Sequence, residues 1–195
     1  MQKTNKINEK VRLTVLVGIF SAMSFVLFLF PKFPLLAAFP WLDMDFSDVP
    51  ALFASVMISP VAGLVVSLIK NVIHLTVTST AMVGELSNFL VNGSFVFATG
   101  LAYKYVMKKK EKLSSVAVSV IMGAVFQVAA AIVVNYYIMI PMYSAFVNFS
   151  ELGGAKGYIL AGVIPFNVIK DIMASAVFIV LYKLIGNKLH RYSVK

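Results

Sequence analysis

The chain has 195 residues, of which 60% are hydrophobic and 13% are charged, and its mean hydropathy is +0.90. A soluble domain has about 45–50% apolar and about 25% charged residues, so this composition predicts a membrane protein. No polar linker divides the chain, which indicates one membrane domain over residues 1–195. Cysteine is absent, which excludes disulfides and thiolate metal sites.

Six spans are predicted in chain order. About 20 apolar residues cross a hydrocarbon core of about 30 Å, and five such segments lie at 12–30, 61–77, 85–106, 114–140 and 163–185. The first is longer than the apolar region of a secretory signal, so we interpret it as a retained span. Segment 48–59 starts with a helix-start signal but rises only about 18 Å. It is either a short span of its own or an extension of the span that follows Pro60.

The distribution of cations favours six spans over five. With six, 13 of the 17 Lys and Arg residues fall on one side of the membrane: Lys3, Lys6, Lys10, Arg12, Lys104, Lys108, Lys109, Lys110, Lys112, Lys183, Lys188, Arg191 and Lys195. Five spans would put the "KKKEK" cluster opposite the basic N-terminus. We therefore predict an all-α membrane protein, a six-transmembrane-helix bundle with cytoplasmic N- and C-termini. The net charge of +9 then serves orientation and contact with anionic lipid headgroups, not nucleic acid.

The opposite, outer side carries the acidic residues and the long loops. Five of the eight acids fall there, and the loops are 31–47, 78–84 and 141–162. The inner turn at Ser59-Pro60 is very short. A binding site built from loops is therefore expected to face outward.

Polar residues interrupt the last span in "PFNVIKD". An ionised lysine in a bilayer costs about 2.5–3.5 kcal/mol. Lys170 could offset this cost by pairing with a carboxylate or by extending to the membrane interface. Alternatively, Lys170 and Asn167, which is three residues earlier on the same helix face, form a polar floor for a ligand that enters from outside. Asn135 and Asn88 fall in the same outer layer of two other spans, which favours the polar floor.

Two further patterns concern helix packing. Lys70, Asn71 and His74 lie together in the third span. We interpret Lys70 as structural and paired with Asp48, and His74 as a packing residue, because a single intramembrane histidine makes no metal site. Gly18 and Ala22 form a small-xxx-small pair on the first span, with Ser21 and Ser24 alongside, and allow a helix to approach closely. That helix belongs either to this bundle or to a partner protein.

Motifs for chemistry are absent: the sequence has no GxxxxGK[ST], HExxH or GxSxG. If an ATP-driven motor is used, it must therefore be another chain.

Four segments together resemble the riboflavin-specific S components of energy-coupling factor (ECF) transporters. They are "MDFSDVPALFASVMISPVAGLVVSLIKNVIHL", "GELSNFLVNGSFVFATGLAYK", "VVNYYIMIPMY" and "GVIPFNVIKDI". The resemblance runs from Leu13 to Leu184, and "DFSDVPAL" and "IPFNVIK" are its most specific parts.

The resemblance implies a substrate-binding subunit in a bacterial cell membrane that captures riboflavin from outside. It implies a protein that is not an enzyme and uses no cofactor, with riboflavin as the transported ligand. It implies association with a membrane coupling protein and two ABC-type ATPases, with Gly18 and Ala22 on the docking face. The isoalloxazine ring would meet Asn135, Asn167 and Lys170. The first outer loop would cover the ring and "GELSNF" would contribute from the side, which adds to the expected site these residues: Trp41, Asp45, Gly84, Glu85 and Asn88.

Alternatives remain at this point. The chain could be an S component for another vitamin, or a stand-alone channel or proton-coupled carrier with a relay of Lys70, His74, Lys170 and Asp171. A photoreceptor with Lys170 as a Schiff-base amine is a further alternative. Flux through this chain alone would favour a stand-alone channel or carrier. A borohydride-trapped adduct would favour a photoreceptor.

Overall fold

The computed structural model describes residues 2–78, 82–106, 113–144 and 147–189, and its side chains between 9 and 185 within these ranges. The "KKKEK" cluster, Arg191 and Lys195, which contribute to the predicted orientation, lie outside the described residues. Orientation therefore stays a prediction.

Six helices form the bundle, as predicted from the sequence. They are α1 (Gln2–Leu29), α2 (Asp48–Met57), α3 (Pro60–His74), α4 (Val83–Val106), α5 (Leu113–Val134) and α6 (Ile164–Leu189). A 3-10 turn, Leu75–Val77, follows α3. A π-helical turn, Asn135–Met139, continues α5 into a short helix, Ile140–Tyr143, and a second 3-10 turn follows at Phe149–Leu152. Helix Gly154–Tyr158 and a π-helical turn, Ile159–Val163, precede α6. Two short strands, β1 (Phe33–Pro34) and β2 (Asp43–Met44), pair antiparallel in the loop after α1.

Three helical segments among the described residues are long and apolar enough to cross a membrane: Glu9–Leu29, Pro60–Val77 and Leu113–Tyr143. Helix α2 is apolar but has only 10 residues. Helices α4 and α6 are long enough, but they carry polar side chains such as Asn88 and Lys170. Membrane crossing by these three helices stays a prediction.

Segment 48–59 forms a separate helix because Ser59 and Pro60 start a new one. Ser59 has an extended backbone, and its hydroxyl oxygen accepts a hydrogen bond of 3.1 Å from the amide of Ala62. Pro60 occupies the first helical turn, where its missing N–H is not needed. All ten residues of α2 are buried, and α1, α3, α4 and α6 pack around it. Helix α2 is thus the central element of the bundle.

The packing around α2 leaves no space for a side chain at Gly63 of α3. A Cβ atom there would lie 2.5 Å from Cβ of Ser55 and 2.6 Å from Cγ1 of Val96. We expect Gly63→Ala to lower the free energy of unfolding by about 1–3 kcal/mol, the usual cost of overpacking. Thermal unfolding of the purified protein measures this change.

A matched control for Gly63 is Gly18→Ala in α1, where an added Cβ would have no atom within 4 Å. We expect this variant to unfold at or slightly above the wild-type temperature, because alanine favours a helix over glycine. Equal destabilisation by the two substitutions would contradict the close approach of α3 to α2 and α4.

Candidate functional site

A cavity opens at the end of the bundle where the loop after α1 meets the start of α4, the end of α5 and the start of α6. Its empty volume is about 840 Å³, which includes space open to solvent. All eight residues that the sequence analysis assigned to a ligand site line this one cavity: Trp41, Asp45, Gly84, Glu85, Asn88, Asn135, Asn167 and Lys170. The structure brings these residues together, and their role in binding stays a prediction.

The loop 31–47 packs, through aromatic contacts, against the short helix that precedes α6. Phe39 is buried, and its ring centroid lies 5.5 Å from that of Tyr158. The indole N–H of Trp41 donates a hydrogen bond of 3.3 Å to the hydroxyl oxygen of Tyr158. Trp41 and Tyr158 both line the cavity, so this loop forms part of its wall.

Buried charges of alternating sign join the end of this loop to α2, α3 and α6. Nζ of Lys170 is 2.8 Å from Oδ2 of Asp45 and 3.9 Å from Oδ2 of Asp48. Nζ of Lys70 is 3.0 Å from Oδ1 of Asp48 and also donates to the hydroxyl of Ser47, which donates to Asp45. The predicted pairing of Lys70 with Asp48 is confirmed. Lys170 both pairs with a carboxylate and lines the cavity, so the two alternatives for Lys170 are not exclusive.

The charge of Asp45 is fixed by its neighbours. Burial raises the pKa of this carboxyl group, but the positive charges of Lys170 and Lys70, with hydrogen bonds from Lys170 and Ser47, lower it from 3.8 to about 2. Because the folded pKa lies below the unfolded value, Asp45 stabilises the fold above about pH 4, and this contribution is lost as the pH falls towards 2. The Asp45–Lys170 ion pair is therefore intact at neutral pH.

Asn135 begins the π-helical turn that follows α5. Its Nδ2 donates a hydrogen bond of 2.8 Å to the carbonyl oxygen of Ala131. A backbone carbonyl only accepts, so the side-chain oxygen of Asn135 is the atom directed away from its own helix. Asn135 also lines the cavity, and its role as an acceptor for a ligand stays a prediction.

Asn167 belongs to a network of three amide side chains from three helices. Its Nδ2 donates to the carbonyl oxygen of Val163 at 2.7 Å, and its Oδ1 accepts from Nε2 of Gln127 at 3.3 Å. The same Nε2 donates to Oδ1 of Asn92 at 3.2 Å. Asn92 lies on α4, Gln127 on α5 and Asn167 on α6, so the network joins the helices at the cavity.

The side of the cavity near α3 contains a second set of polar contacts. Nδ2 of Asn71 donates to Oδ1 of Asn88 at 3.2 Å. Nδ1 of His74 lies 2.7 Å from Oε1 of Glu85, and the ring centroids of His74 and Phe28 are 4.3 Å apart. His74 also lines the cavity, and its role as a packing residue stays a prediction. No group of three or more His, Asp or Glu residues in the described ranges is placed to hold a metal ion.

The sequence analysis missed Asn92, Gln127 and Tyr158. Asn92 follows Asn88 by four residues on one helix, so the two share a face, and this spacing could have identified it. Tyr158 belongs to the aromatic residues of the outer loops. Gln127 gave no signal beyond being an amide within an apolar run.

Gly18 and Ala22 are exposed on the outer surface of α1, with no atom within 4 Å of an added Cβ at Gly18. The two serines predicted to lie alongside them face inward instead, and that prediction was wrong. Ser21 is 2% exposed and donates to the carbonyl oxygen of Val17, whereas Ser24 is fully buried and donates to that of Ser47. These hydrogen bonds satisfy the two hydroxyl groups in their buried positions.

Comparison with known proteins identifies the class. Residues 12–182 match the family model of the ECF transporter, substrate-specific component, and the chain belongs to this family. It also resembles a solved structure of the S component of a bacterial ECF transporter, with a TM-score of 0.78 and 34% identity, over 92% of this chain and 98% of that one.

Two curated relatives are riboflavin transporters. The chain is 34% identical to riboflavin transporter RibU of Staphylococcus aureus (strain TCH60), over 98% of this chain and 100% of the relative. It is 32% identical to riboflavin transporter FmnP of Bacillus subtilis (strain 168), over 89% of this chain and 91% of the relative. These relatives are transporters and not enzymes.

Proposed function

We propose that this chain binds riboflavin from the extracellular side as the substrate-specific subunit of an ATP-driven ECF importer. The relatives named as riboflavin transporters support this function. The observation that carries it is a cavity lined together by amide side chains of α4, of the turn after α5 and of α6, and by Lys170. Burying polar groups within a membrane costs free energy, and hydrogen bonds from these groups to a ligand would offset that cost.

The hydrogen-bonding groups of the cavity suit the pyrimidine edge of riboflavin, which presents an N–H donor between two carbonyl acceptors. The oxygen of Asn135 is directed to accept from the N–H. Lys170 gives one hydrogen bond to Asp45 and keeps further N–H groups for a carbonyl. Trp41, Tyr158 and Phe166 also line the cavity and supply apolar surface for a flat ring.

Riboflavin is expected to bind better than its phosphate, FMN. The sequence offers Lys32 and Lys156 as the outer cations for a phosphate. Lys32 lines the cavity, but its Nζ is 3.1 Å from Oδ2 of Asp43 and its charge is thereby neutralised. Lys156 is not among the residues that line the cavity.

In this proposal the protein spans a bacterial cell membrane with six helices and has both termini in the cytoplasm. It works with a membrane coupling protein and two ABC-type ATPases. The exposed strip of Gly18 and Ala22 on α1 is the docking face, because small side chains let another helix approach closely.

We expect Gly18→Trp to lower the rate of ATP-dependent riboflavin uptake at least tenfold. Riboflavin affinity should not change, since Gly18 does not line the cavity. Riboflavin uptake into liposomes that contain the complete transporter, and titration of the isolated subunit, measure the two effects. Val125→Trp is the control, because Val125 is 68% exposed on α5. Equal loss of uptake in both variants would exclude a specific docking face at Gly18.

The proposed function is tested by the colour of the protein. Material purified from flavin-containing medium should be yellow, with riboflavin identified by mass spectrometry after denaturation. Another bound vitamin would favour an S component of different specificity. Riboflavin flux into liposomes by this chain alone, without ATPases, would favour a stand-alone carrier or channel instead.

A further inference from the structure

We infer that Gln127 is a positioning residue that transmits the amide orientation of Asn167 to Asn92, so that both asparagines on the cavity floor offer N–H donors to the ligand. The inference rests on the proposed function, because it takes the ligand to be a flavin. Gln127 is fully buried on α5 and is not among the residues that line the cavity. It can therefore act on a ligand only through the two asparagines that it contacts.

The orientation of all three amides follows from one backbone carbonyl. The carbonyl oxygen of Val163 can only accept, so the nitrogen of Asn167 must face it, at 2.7 Å. The oxygen of Asn167 then faces Gln127, which must present its nitrogen, at 3.3 Å. The same nitrogen faces Asn92, which must present its oxygen, at 3.2 Å. Each hydrogen bond therefore fixes which end of the next amide, oxygen or nitrogen, faces it.

This arrangement leaves N–H donors for the ligand. Both side-chain oxygens, of Asn92 and Asn167, are occupied by Gln127. Nδ2 of Asn92 is buried and has no partner among the described residues, and Nδ2 of Asn167 has a second N–H beyond the one given to Val163. An unpaired buried donor is unfavourable, so a ligand with carbonyl acceptors would satisfy it. Oε1 of Gln127 also has no partner among the described residues, which indicates that the donors of Gln127 determine its orientation.

The inferred ligand chemistry is a ring edge with two carbonyl groups. Donors from the floor would meet the carbonyl oxygens, while the oxygen of Asn135, on the π-helical turn after α5, accepts the N–H between them. Without Gln127, Asn92 could turn its amide, whereas the carbonyl oxygen of Val163 would still hold Asn167. The floor would then offer the oxygen of Asn92 as readily as its N–H groups, and the preference for a carbonyl oxygen would be reduced.

The test measures discrimination between riboflavin and its 2-thio and 4-thio analogues, because sulfur is a weak acceptor. We expect the wild-type protein to prefer riboflavin over at least one analogue by about tenfold or more, within the range for a lost hydrogen bond. Gln127→Met, which keeps the length of the side chain but removes its donors, should reduce this preference to about threefold or less. Gln127→Leu, which also lacks side-chain donors, should do the same. Affinities come from titration of the detergent-solubilised full chain.

Ser119→Ala is the matched control. Ser119 is fully buried on the same helix, and its hydroxyl donates to the carbonyl oxygen of Ser115 at 2.7 Å; it is not among the residues that line the cavity. This variant should keep the wild-type preference. A riboflavin analogue without the two methyl groups of the benzene ring serves as a ligand control, and its affinity relative to riboflavin should be the same in all variants.

The outcomes separate this inference from the proposed function. If the wild-type protein does not bind riboflavin, both are overturned. If it binds, but Gln127→Met weakens riboflavin and the thio analogues equally, Gln127 is only structural and the inference alone is overturned. The same conclusion holds if neither Gln127 variant gives folded, monodisperse protein, because Gln127 would then serve the fold.

Discussion

Replacing Lys170 with methionine should weaken riboflavin binding at least tenfold, which corresponds to about 1.4 kcal/mol. Lys170 is 2% exposed and lines the cavity, and methionine preserves much of its length while removing all three donors. The substitution also leaves Asp45 buried without its ion-pair partner at 2.8 Å. Quenching of flavin fluorescence during titration measures the affinity.

A double variant separates the two roles of Lys170. In Lys170→Met/Asp45→Asn an uncharged amide replaces the carboxylate of Asp45, so the penalty of an unpaired buried charge is removed. If Lys170 donates to the ligand, binding stays at least tenfold weaker than in Asp45→Asn alone. Restoration of the affinity of Asp45→Asn would show that Lys170 serves only to neutralise Asp45, and it would remove Lys170 from the proposed ligand site.

Replacing Lys70 with methionine should lower the free energy of unfolding by about 3–5 kcal/mol, the cost of breaking a buried ion pair. Lys70 is completely buried, and Asp48, its partner at 3.0 Å, is 1% exposed. The pair ties α3 to the start of α2, the central helix. Unfolding of the riboflavin-free protein in detergent, followed by circular dichroism, measures the loss.

Lys32→Met is the control for Lys70. Lys32 also forms an ion pair, with Asp43 at 3.1 Å, but its side chain is 31% exposed, so its removal should cost less than about 1 kcal/mol. Lys70→Met/Asp48→Asn should recover most of the stability lost in Lys70→Met, because no buried charge is left unpaired. Equal destabilisation by Lys70→Met and Lys32→Met would contradict a structural role for the buried pair.

Much of the fold could be predicted because apolar length and cation distribution are properties of the sequence alone. Segment 48–59 illustrates the limit, since its short length left open whether it was a helix of its own. Ser59 and Pro60 decide the question through a capping bond and a fixed backbone angle. The inward direction of Ser21 and Ser24 could not be predicted. Both faces of this membrane helix are apolar, so the spacing of its hydrophobic residues does not show which face is turned to the bundle.

Within the candidate site, the residues could be predicted but their contacts could not. Asn135, Asn167 and Lys170 were expected in one layer, since depth along a helix follows from residue number. The pairing of Lys170 with Asp45 joins residues 125 positions apart, and only the packing of the loop 31–47 brings them together. Gln127 was missed because its role depends on neighbours from α4 and α6.

The most direct test of the account is titration of riboflavin-free protein with riboflavin, with thiamine and biotin as comparison ligands. We predict saturable quenching of flavin fluorescence at one riboflavin per chain, unchanged by an excess of either other vitamin. Absence of saturable binding, or displacement of riboflavin by thiamine or biotin, would contradict the proposal that the amides of three helices and Lys170 form a site for a flavin.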